Sequence, residues 1–330
     1  MPASRSSGAE SRPRAVVPMD EFRGAMQRAE VVLHYQPIVD LRAMTVRAAE
    51  ALIRWQHPTG GLLPPDDFLP ALVHTPLMPA ITDWVLRTAA TAAADWPGLG
   101  VTVNISAADA TSRGLVDATR TAIADAGLPP NRLTLEITEQ ALMGDLARTT
   151  DNLRQLADDG VHVSLDDFGT GYSSLLFLRD LPIDEIKIDA HFIRGVGSSR
   201  DDDAIVAGLV KLGQAIGVRV VAEGVETTRQ AEALISVGCD AAQGFVFGRA
   251  AERLMLPTLP EPPAVARPTQ QRRRRGERLA TEEAAQLMNA LLADGASLHT
   301  IAARLNKEGL RTAQGTRWVA ASVGRALTQL

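Results

Sequence analysis

The chain has very little cysteine and no long hydrophobic run, and each absence excludes a class of protein. Cys239 is the only cysteine among 330 residues, so neither an internal disulfide nor a cysteine-based zinc site is possible. No apolar run approaches the roughly 20 residues that a membrane span needs, and the N-terminus carries no hydrophobic signal core. With 45% hydrophobic residues, the chain is predicted to be a soluble globular protein of the reducing cytoplasm.

The net charge of −5 is unevenly distributed along the chain. From Pro263 onward there are 11 Lys and Arg against 5 Asp and Glu, a net of +6, so the rest of the chain carries −11. Five prolines and then four arginines occur between residues 257 and 275, a composition typical of a linker. We therefore expect a disordered tail over 1–18, one large domain over 19–256, a linker over 257–276 and a small helical domain over 277–330.

Short β-type segments alternate with helical segments between residues 30 and 250, which is typical of parallel βα units. Eight such strands favour an α/β fold of the TIM-like (β/α)8 barrel type. The predicted strands cover 31–39, 45–55, 100–106, 132–138, 161–168, 185–189, 218–224 and 239–247. Helices with apolar residues at helical spacing are predicted over 78–95, 114–126, 144–159, 201–216 and 227–237.

Two adjacent aspartates end one of these strands, in the segment VHVSLDDFGTGYSSL at 161–175. Side chains alternate faces along a strand, so Val163 and Leu165 share an apolar row, and Asp166 lies in the opposite row. Asp166 and Asp167 repel each other, and burying them unpaired would cost several kcal/mol, on the order of the desolvation penalty of an ion. The pair therefore indicates either a solvated turn or a site that holds a cation.

Several other strands also carry a polar residue among apolar ones. In one strand such a residue usually bonds to a neighbouring backbone, but the recurrence across eight strands favours a shared site. In a closed barrel these side chains converge at the C-terminal mouth, where barrels of this class place their chemistry. Oxygen ligands suit Mg2+ or Mn2+, and adjacent aspartates can hold one ion or bridge two. The oxygen-rich set is Glu50, Asn104, Glu136, Asp166, Asp167 and Glu223, with Gln36, Lys187 and Gln243 on the remaining strands.

At these positions the sequence resembles the EAL-domain phosphodiesterases, which hydrolyse the bacterial second messenger cyclic di-GMP. The resemblance covers about residues 20 to 256 and is carried above all by AEALIRWQHP at 49–58. The motifs YQPIVDL, VNIS, LEITE, DDFGTGYSSL, IKID, AEGVE and AQGF occur in the family's order. The resemblance implies a TIM-like barrel with one reversed strand, and the sequence itself does not show that reversal.

The resemblance also implies a reaction and a set of site residues. Two ions, Mg2+ or Mn2+, would assist water in opening cyclic di-GMP to linear 5'-pGpG. Lys187 would be the catalytic lysine, with Glu50 and Glu223 as catalytic metal ligands, and Glu139 would stabilise the loop after the aspartate pair. The implied metal ligands are Glu50, Asn104, Glu136, Asp166, Asp167 and Glu223, and the implied nucleotide or water contacts are Gln36, Leu52, Arg54 and Gln243.

The chain departs from the family at two places. FLPALVHTPLM at 68–78 has Val73, His74 and Pro76 in place of acidic and glycine residues, and Ala250 stands where a proline usually follows the last strand. Neither departure touches an implied metal ligand, so we expect altered packing or regulation before lost catalysis. The alternative function is a cyclic di-GMP receptor, in which the same pocket binds the nucleotide and transmits its occupancy to the C-terminal segment.

The C-terminal segment has a helical pattern of its own. Apolar spacing predicts helices near 281–293, 297–308 and 319–328. The run IAARLNKEGLRTAQGTRWVAASVGRAL resembles the DNA-proximal recombinase domain of serine recombinases, but no catalytic domain of that family accompanies it. DNA binding through 271–330 and dimerisation of a three-helix tail both remain open. We also expect a homo-oligomer and no association with membranes.

Overall fold

The structure of the protein, a computed structural model, describes residues 18–169, 178, 181–257, 259, 283–292, 298–310, 318, 323 and 326–327. Almost all of the predicted tail over 1–18 and most of the predicted linker over 257–276 lie outside these residues. Within the described part of the chain, no helix combines the length and the apolar composition that crossing a bilayer requires.

One sheet closes into a barrel. Its strands are β1 (Val31–Asp40), β2 (Thr45–His57), β3 (Gly61–Leu63), β4 (Gly100–Ile105), β5 (Leu133–Thr138), β6 (His162–Phe168), β7 (Glu185–Ile188), β8 (Arg219–Ala222) and β9 (Ala241–Gln243). They follow the order β1-β9-β8-β7-β6-β5-β4-β2-β3, and β1 also pairs with β2. This last pairing closes eight strands into a barrel and leaves β3 as a short addition beside β2. The predicted TIM-like α/β barrel is confirmed.

Strand β1 runs against both of its neighbours, β2 and β9, whereas the other neighbouring strands around the barrel are parallel. Only the turn at 41–44 separates β1 from β2. Parallel neighbours need a crossover of a dozen or more residues, so a connection this short forces an antiparallel pair. The reversal implied by the resemblance is present, and the parallel pattern inferred from the sequence does not hold for β1.

Helices follow most strands around the barrel. They are α1 (Met19–Gln27), α2 (Leu69–Leu72), α3 (Met78–Ala94), α4 (Ala107–Ala110), α5 (Leu115–Ala126), α6 (Leu146–Asp159), α7 (Ala190–Ile193), α8 (Arg200–Ile216) and α9 (Thr228–Val237). The five predicted helices agree with the observed bounds to within two residues, whereas α1 and the short helices were not predicted. Local sequence explains the ends: α6 begins after Asp145, whose side chain accepts from Arg148 N, and ends at the left-handed Gly160.

Alternation along the strands separates an apolar outer face from a polar interior. Val101, Val103 and Ile105 of β4 are buried in the main hydrophobic core, as the sequence pattern predicted. The apolar face of each strand is therefore covered by the helices, while the intervening residues fill the barrel. This arrangement places polar side chains from several strands within reach of one another inside the barrel.

An ion cluster fills the interior near the N-terminal ends of the strands. Arg47 Nη1 donates to Glu185 Oε2 at 2.6 Å, and Arg219 Nε lies 3.4 Å from the same oxygen. Glu185 is buried. Burial favours its neutral form, but the two arginines outweigh that effect and lower the pKa of Glu185 to about 2. The sequence analysis missed this cluster.

The C-terminal segment has a small hydrophobic core of its own. Two helices are described there, α10 (283–292) and α11 (Leu298–Lys307). The backbone of Trp318 is held by Asn306, which accepts from Trp318 N at 2.9 Å and donates to Trp318 O at 2.7 Å. Two of the predicted helices are present, and most of the third, over 319–328, lies outside the described residues. The buried residues of this core are Ala284, Met288, Ile301, Ala302, Leu305, Trp318 and Val323.

Removal of the Glu185 carboxylate is expected to destabilise the barrel, because Arg47 and Arg219 would keep their charges without the carboxylate that they both contact. Glu185→Ala should lower the free energy of unfolding by roughly 3–5 kcal/mol, measured by urea denaturation at neutral pH. The matched control is Asp83→Ala, which removes a surface ion pair with Arg87 on α3 and should change stability little.

The effect of Glu185→Ala should also depend on pH. Because the folded-state pKa of Glu185 is lowered, its carboxylate contributes fully above the ordinary value of 4.5, and the contribution is lost as the pH falls to about 2. The stability difference between wild type and Glu185→Ala should therefore shrink across this window. A difference that stays constant down to the acid limit would contradict an ionic origin.

Candidate active site

Polar residues from different strands meet inside the barrel around Lys187, which is 1% exposed. Its Nζ contacts Glu136 Oε1 and Glu223 Oε1 directly. The same nitrogen lies 3.5 Å from Glu50 Oε2 and 3.9 Å from Asp166 Oδ1. Burial opposes the charged form of Lys187, but these carboxylates outweigh it and raise its pKa well above the usual value. One ammonium group therefore serves four carboxylates.

The carboxylates exceed the positive charge available to them. Burial raises the pKa of Glu136 well above its usual value, and Glu50, Asp166 and Glu223 add to the rise while Lys187 opposes it. Burial likewise raises the pKa of Glu223 to about 8. Glu136 Oε2 is buried and has no hydrogen-bond partner among the described residues. A further cation at this point would favour the ionised carboxylates and give that oxygen a ligand role.

The geometry and the donor atoms fit a divalent cation. One oxygen each from Glu136, Asp166 and Glu223 lies within 4.8 Å of the others, close enough to share an ion. Asn104 Nδ2 donates to Glu50 Oε1 at 2.7 Å, which leaves the amide oxygen of Asn104 as a further hard ligand. Carboxylate and amide oxygens suit Mg2+ or Mn2+. The structure thus brings together five of the six predicted ligands.

Asp167, the sixth predicted ligand, lies where β6 is irregular. Its φ of 54° is left-handed, and the pairing of β6 with β7 shifts register between Leu165 and Phe168. A non-glycine residue adopts this conformation at a cost of about 1–3 kcal/mol, and such strain is concentrated at functional sites. The pKa of Asp167 is raised by burial first and then by the charges of Asp166 and Asp189, while Lys187 opposes the rise. The irregularity interrupts the alternation that would otherwise separate the two aspartates.

Glu139 lies just after β5, in the short helical segment Glu139–Met143, and is buried. Its charge contributes to the raised pKa of Asp167, so it belongs to the surroundings of the aspartate pair. Most of the loop that it is expected to stabilise, at 170–177, lies outside the described residues. The loop-stabilising role of Glu139 therefore stays a prediction.

A cavity of about 290 Å³ lies beside the carboxylates. Phe245 at its rim is 52% exposed, and the guanidinium of Arg249 lies 4.0 Å from the centroid of the ring. Of the predicted residues, the cavity is lined by Gln36, Glu50, Leu52, Asp166, Glu223 and Gln243. The lining residues that the sequence analysis missed are Ala190, Gly224, Glu226, Gly244 and Phe245. Most of these belong to the motifs AEGVE and AQGF, which could have identified them from the sequence.

The segments 222–226 and 242–245, at the cavity rim, pack closely against each other. A Cβ atom on Gly244 would lie 2.1 Å from Val225 O. A Cβ atom on Gly224 would lie 2.5 Å from the Cβ of Ala190, at the start of α7. The two segments are also joined by a hydrogen bond of 3.0 Å from Val225 N to Gln243 O. Only glycine permits so close an approach. The glycines of AEGVE and AQGF therefore determine the shape of the rim.

Arg54 lies two positions beyond Leu52 on β2 but is not among the residues that line the cavity. Its Nη1 donates to Ile53 O at 2.8 Å. Burial lowers the pKa of Arg54, and the charges of Glu50 and Asp66 oppose that shift. Its predicted contact with the nucleotide stays a prediction.

The departures from the family pattern lie away from the carboxylates. Val73 and Pro76 fall between α2 and α3, and the neighbouring residues Phe68, Leu72 and Leu77 are buried. Neither these residues nor Ala250 lines the cavity. The segment therefore keeps a buried core without the usual acidic and glycine residues, and its effect on activity stays a prediction.

The sequence is similar to two curated proteins of Pseudomonas aeruginosa. MucR of Pseudomonas aeruginosa, a bifunctional diguanylate cyclase/cyclic di-GMP phosphodiesterase, is 43% identical over 236 residues, covering 70% of this chain and 34% of MucR. The cyclic di-GMP phosphodiesterase NbdA of the same species is 41% identical over 235 residues, covering 70% of this chain and 30% of NbdA. The chain thus spans about a third of the length of these curated relatives.

A solved structure and a family model agree with these relatives. The structure of the PaMucR phosphodiesterase in complex with c-di-GMP is similar with a TM-score of 0.67 at 41% identity, covering 73% of this chain and 97% of that chain. The model of the EAL domain matches residues 19–250, which contain the barrel and its carboxylate centre. The chain therefore belongs to the EAL domain family.

Proposed function

We propose that the barrel hydrolyses cyclic di-GMP to linear 5'-pGpG with two divalent ions, Mg2+ or Mn2+. The observation that carries this proposal is the group of four carboxylates and one amide around Lys187. A receptor that no longer cleaves its nucleotide has no need of such a set. The choice of substrate is supported by the names of MucR and NbdA and by the c-di-GMP bound to the PaMucR structure.

The metal ligands are proposed from the oxygen atoms that the barrel brings together. When bound, the ions would supply an activated water and offset the negative charge that develops on the phosphate. Asp166 belongs to the group with Glu136 and Glu223 and accepts a hydrogen bond from the backbone of Asp167, so both aspartates would help to hold the ions. The proposed ligands are Glu50, Asn104, Glu136, Asp166, Asp167 and Glu223.

Lys187 contributes a positive charge of the protein itself to the site, in addition to the charge of the ions. Its Nζ lies among the ligand oxygens, where it can orient the attacking water or stabilise charge on the phosphate oxygens. The water oxygen bonds to phosphorus as the bond from phosphorus to the ribose O3' breaks. The phosphate stays on the 5' side, and the departing O3' takes up the proton.

The cavity residues are proposed to hold the nucleotide. Leu52 and Phe245 offer apolar surface, and Gln36 and Gln243 line the same cavity with amides that are hydrogen-bonded to protein groups. Arg54 would bind a phosphate oxygen through a charge-assisted hydrogen bond. For that contact its guanidinium must turn away from the carbonyl of the preceding residue, which it bonds in this structure.

Purified protein should convert cyclic di-GMP to the linear dinucleotide with Mg2+ or Mn2+, as followed by chromatography of the nucleotides. Chelation should stop the reaction. Glu50→Ala should remove most of the turnover because it deletes a ligand oxygen. The control is Glu232→Ala, which changes an exposed carboxylate on α9 and should leave turnover as in wild type. Wild-type protein that binds the nucleotide and leaves it intact with either metal would establish the receptor function instead.

Lys187→Ala should lower kcat far more than it weakens binding of cyclic di-GMP, because the ammonium group acts on charge that develops in the transition state. The expected decrease in kcat is roughly 10²-fold. Lys187→Arg keeps the charge in the buried site and serves as the variant that folds if Lys187→Ala does not. Lys211→Ala, on the exposed surface of α8, is the control. Equal losses of kcat and affinity in a folded, metal-loaded variant would contradict the catalytic role.

We also propose that the C-terminal helical unit binds nucleic acid. The supporting observation is the net charge of +6 after Pro263, on a segment with its own hydrophobic core. In the described part, Arg304 and Lys307 lie in the last turn of α11, and Arg304 pairs with Glu308 at 3.0 Å. The resemblance to the recombinase domain adds support. The other basic residues that would extend this surface are Arg272 to Arg275, Arg311 and Arg317, which lie outside the described residues.

Binding of the protein to duplex DNA should weaken steeply with salt, because each neutralised phosphate releases counterions. The expected slope of log affinity against log salt is about −0.9 per phosphate contacted. Replacing the four arginines at 272–275 with serine should reduce the slope. Absence of binding even at low salt would refute this proposal and leave dimerisation of the helical tail as the better account.

A cytoplasmic location and a homo-oligomer are the remaining parts of the proposal. Cys239 is a buried free thiol, and burial raises its pKa to about 12, which keeps it in the unreactive thiol form. A chain with one protected thiol is compatible with a reducing compartment. The homo-oligomer stays a prediction.

A further inference from the structure

A continuous chain of hydrogen bonds runs beside the carboxylates, from the backbone of Gly248 to Asn104. Gln36 Nε2 donates to Gly248 O at 3.0 Å. Gln243 Nε2 donates both to Gln36 Oε1 at 3.0 Å and to Glu50 Oε2 at 2.6 Å. Asn104 Nδ2 donates to Glu50 Oε1 at 2.7 Å. Each oxygen of Glu50 therefore receives one amide N–H.

Both ends of this chain are groups that only accept hydrogen bonds, and this sets the orientation of the amides between them. A backbone carbonyl and an ionised carboxylate have no proton to donate. The carbonyl of Gly248 thus requires the nitrogen of Gln36, which turns the oxygen of Gln36 toward Gln243. If the amide of Gln36 were rotated by 180°, its oxygen would face the carbonyl oxygen of Gly248. Its nitrogen would then face the amide nitrogen of Gln243. The orientation of Gln36 therefore determines that of Gln243.

The strand register holds these partners together. Gln36 of β1 pairs directly with Glu50 of β2, and Ile38, two residues along β1, pairs with Gln243 of β9. The reversed strand thus places Gln36 between the strands that carry the other two side chains. Gln243 is 5% exposed and Glu50 is 6% exposed, so bulk water competes little for these bonds.

The amides act directly on the charge of Glu50. Burial alone would raise the pKa of Glu50, but Lys187 and the hydrogen bonds from Gln243 and Asn104 outweigh it and lower the pKa below its usual value. A carboxylate that accepts a hydrogen bond at each oxygen also has a restricted orientation. The charge of Lys187 and the two amides together keep Glu50 ionised, and the amide at each oxygen fixes the orientation of its carboxylate.

The amide nitrogen of Gln243 donates both of its hydrogens to this hydrogen-bond chain, one to Gln36 and one to Glu50. Gln243 Oε1 is buried and has no partner among the described residues, although the residue lines the cavity. The amide of Gln243 consequently offers only an acceptor to the cavity. A phosphate oxygen is also an acceptor, so Gln243 is unsuited to binding it directly while the chain is intact.

We propose that Gln36 is a positioning residue that acts through Gln243 to hold Glu50 in the orientation a metal ion requires. The bond to Gly248 also connects the Phe245–Arg249 rim of the cavity to this ligand. The inference rests on the proposed metal-dependent function, because Glu50 is a proposed ligand. It differs from the direct nucleotide contact that the family resemblance implies for Gln36.

The test measures Mn2+ affinity of the full-length protein by calorimetry without nucleotide. Gln36→Leu removes the amide at nearly constant size and should weaken Mn2+ binding about tenfold, the scale of a lost partner behind a metal ligand. Gln36→Asn, one methylene too short to reach both Gly248 and Gln243, should weaken it similarly and is the alternative if Gln36→Leu does not fold. Gln56→Leu changes an exposed glutamine on β2 and should bind Mn2+ like wild type.

A double-mutant cycle separates an indirect role from a direct one. If Gln36 acts through Gln243, then Gln36→Leu combined with Gln243→Leu should lose no more Mn2+ affinity than Gln243→Leu alone. Additive losses would overturn the proposed route. The proposed route would also be overturned by a Gln36→Leu variant that binds Mn2+ like wild type but has lost affinity for cyclic di-GMP. That result would show that Gln36 contacts the nucleotide directly.

The inference and the proposed hydrolysis fail in different measurements. Protein that binds Mn2+ and shows the expected weakening in Gln36→Leu, yet never cleaves cyclic di-GMP, would overturn the activity and support the positioning role. Protein that cleaves the nucleotide, with Mn2+ affinity unchanged in Gln36→Leu and Gln36→Asn, would overturn the positioning role and leave the activity in place.

Discussion

Repulsion among carboxylates at the mouth of the barrel is the constraint on which the rest of the site depends. Two unit charges 4 Å apart interact by about 4 kcal/mol at an effective dielectric constant of 20. A few such repulsions equal the whole stability of a typical domain, about 5–15 kcal/mol. Lys187 offsets part of this cost, and the amides around Glu50 offset another part. The uncompensated remainder would favour a bound cation in the proposed metal site.

The two ion clusters inside the barrel carry an excess of opposite charge. Near the N-terminal ends of the strands, one carboxylate, Glu185, lies between Arg47 and Arg219, so the arginines outnumber it. Near the C-terminal ends, four carboxylates lie around Lys187 and outnumber the positive charge. The first cluster links β2, β7 and β8 and supports the fold. The second has the excess of negative charge that a cation site needs.

The sequence was sufficient to predict most of the barrel and the polar residues that meet in its interior. Strand alternation identified Glu50, Glu136 and Asp166 as interior residues because the period of two is a local property of the backbone. The reversal of β1 escaped prediction because parallel and antiparallel strands share that period, and only the short turn at 41–44 distinguishes them. The irregularity at Asp167 depends on register with β7, which no single strand reveals.

Contacts across the barrel were also out of reach. Arg47 and Glu185 are separated by 138 residues, and Gln36 and Gln243 by 207, so nothing in a local window connects them. The glycines at the cavity rim belong to recognised motifs, but a motif does not explain why glycine is needed there. The structure explains it, because the backbone of Val225 leaves no room for a Cβ atom on Gly244.

The path of the chain out of the barrel has an evolutionary consequence. After β9 the backbone returns to the first strand, where Tyr35 N donates to Ala251 O at 2.7 Å and Ala251 N donates to Tyr35 O at 3.2 Å. The chain therefore leaves the barrel beside the strand with which the barrel begins. A barrel whose first strand and exit are neighbours can be inserted between other segments without holding them far apart. This geometry suits a unit that aligns with about a third of longer relatives.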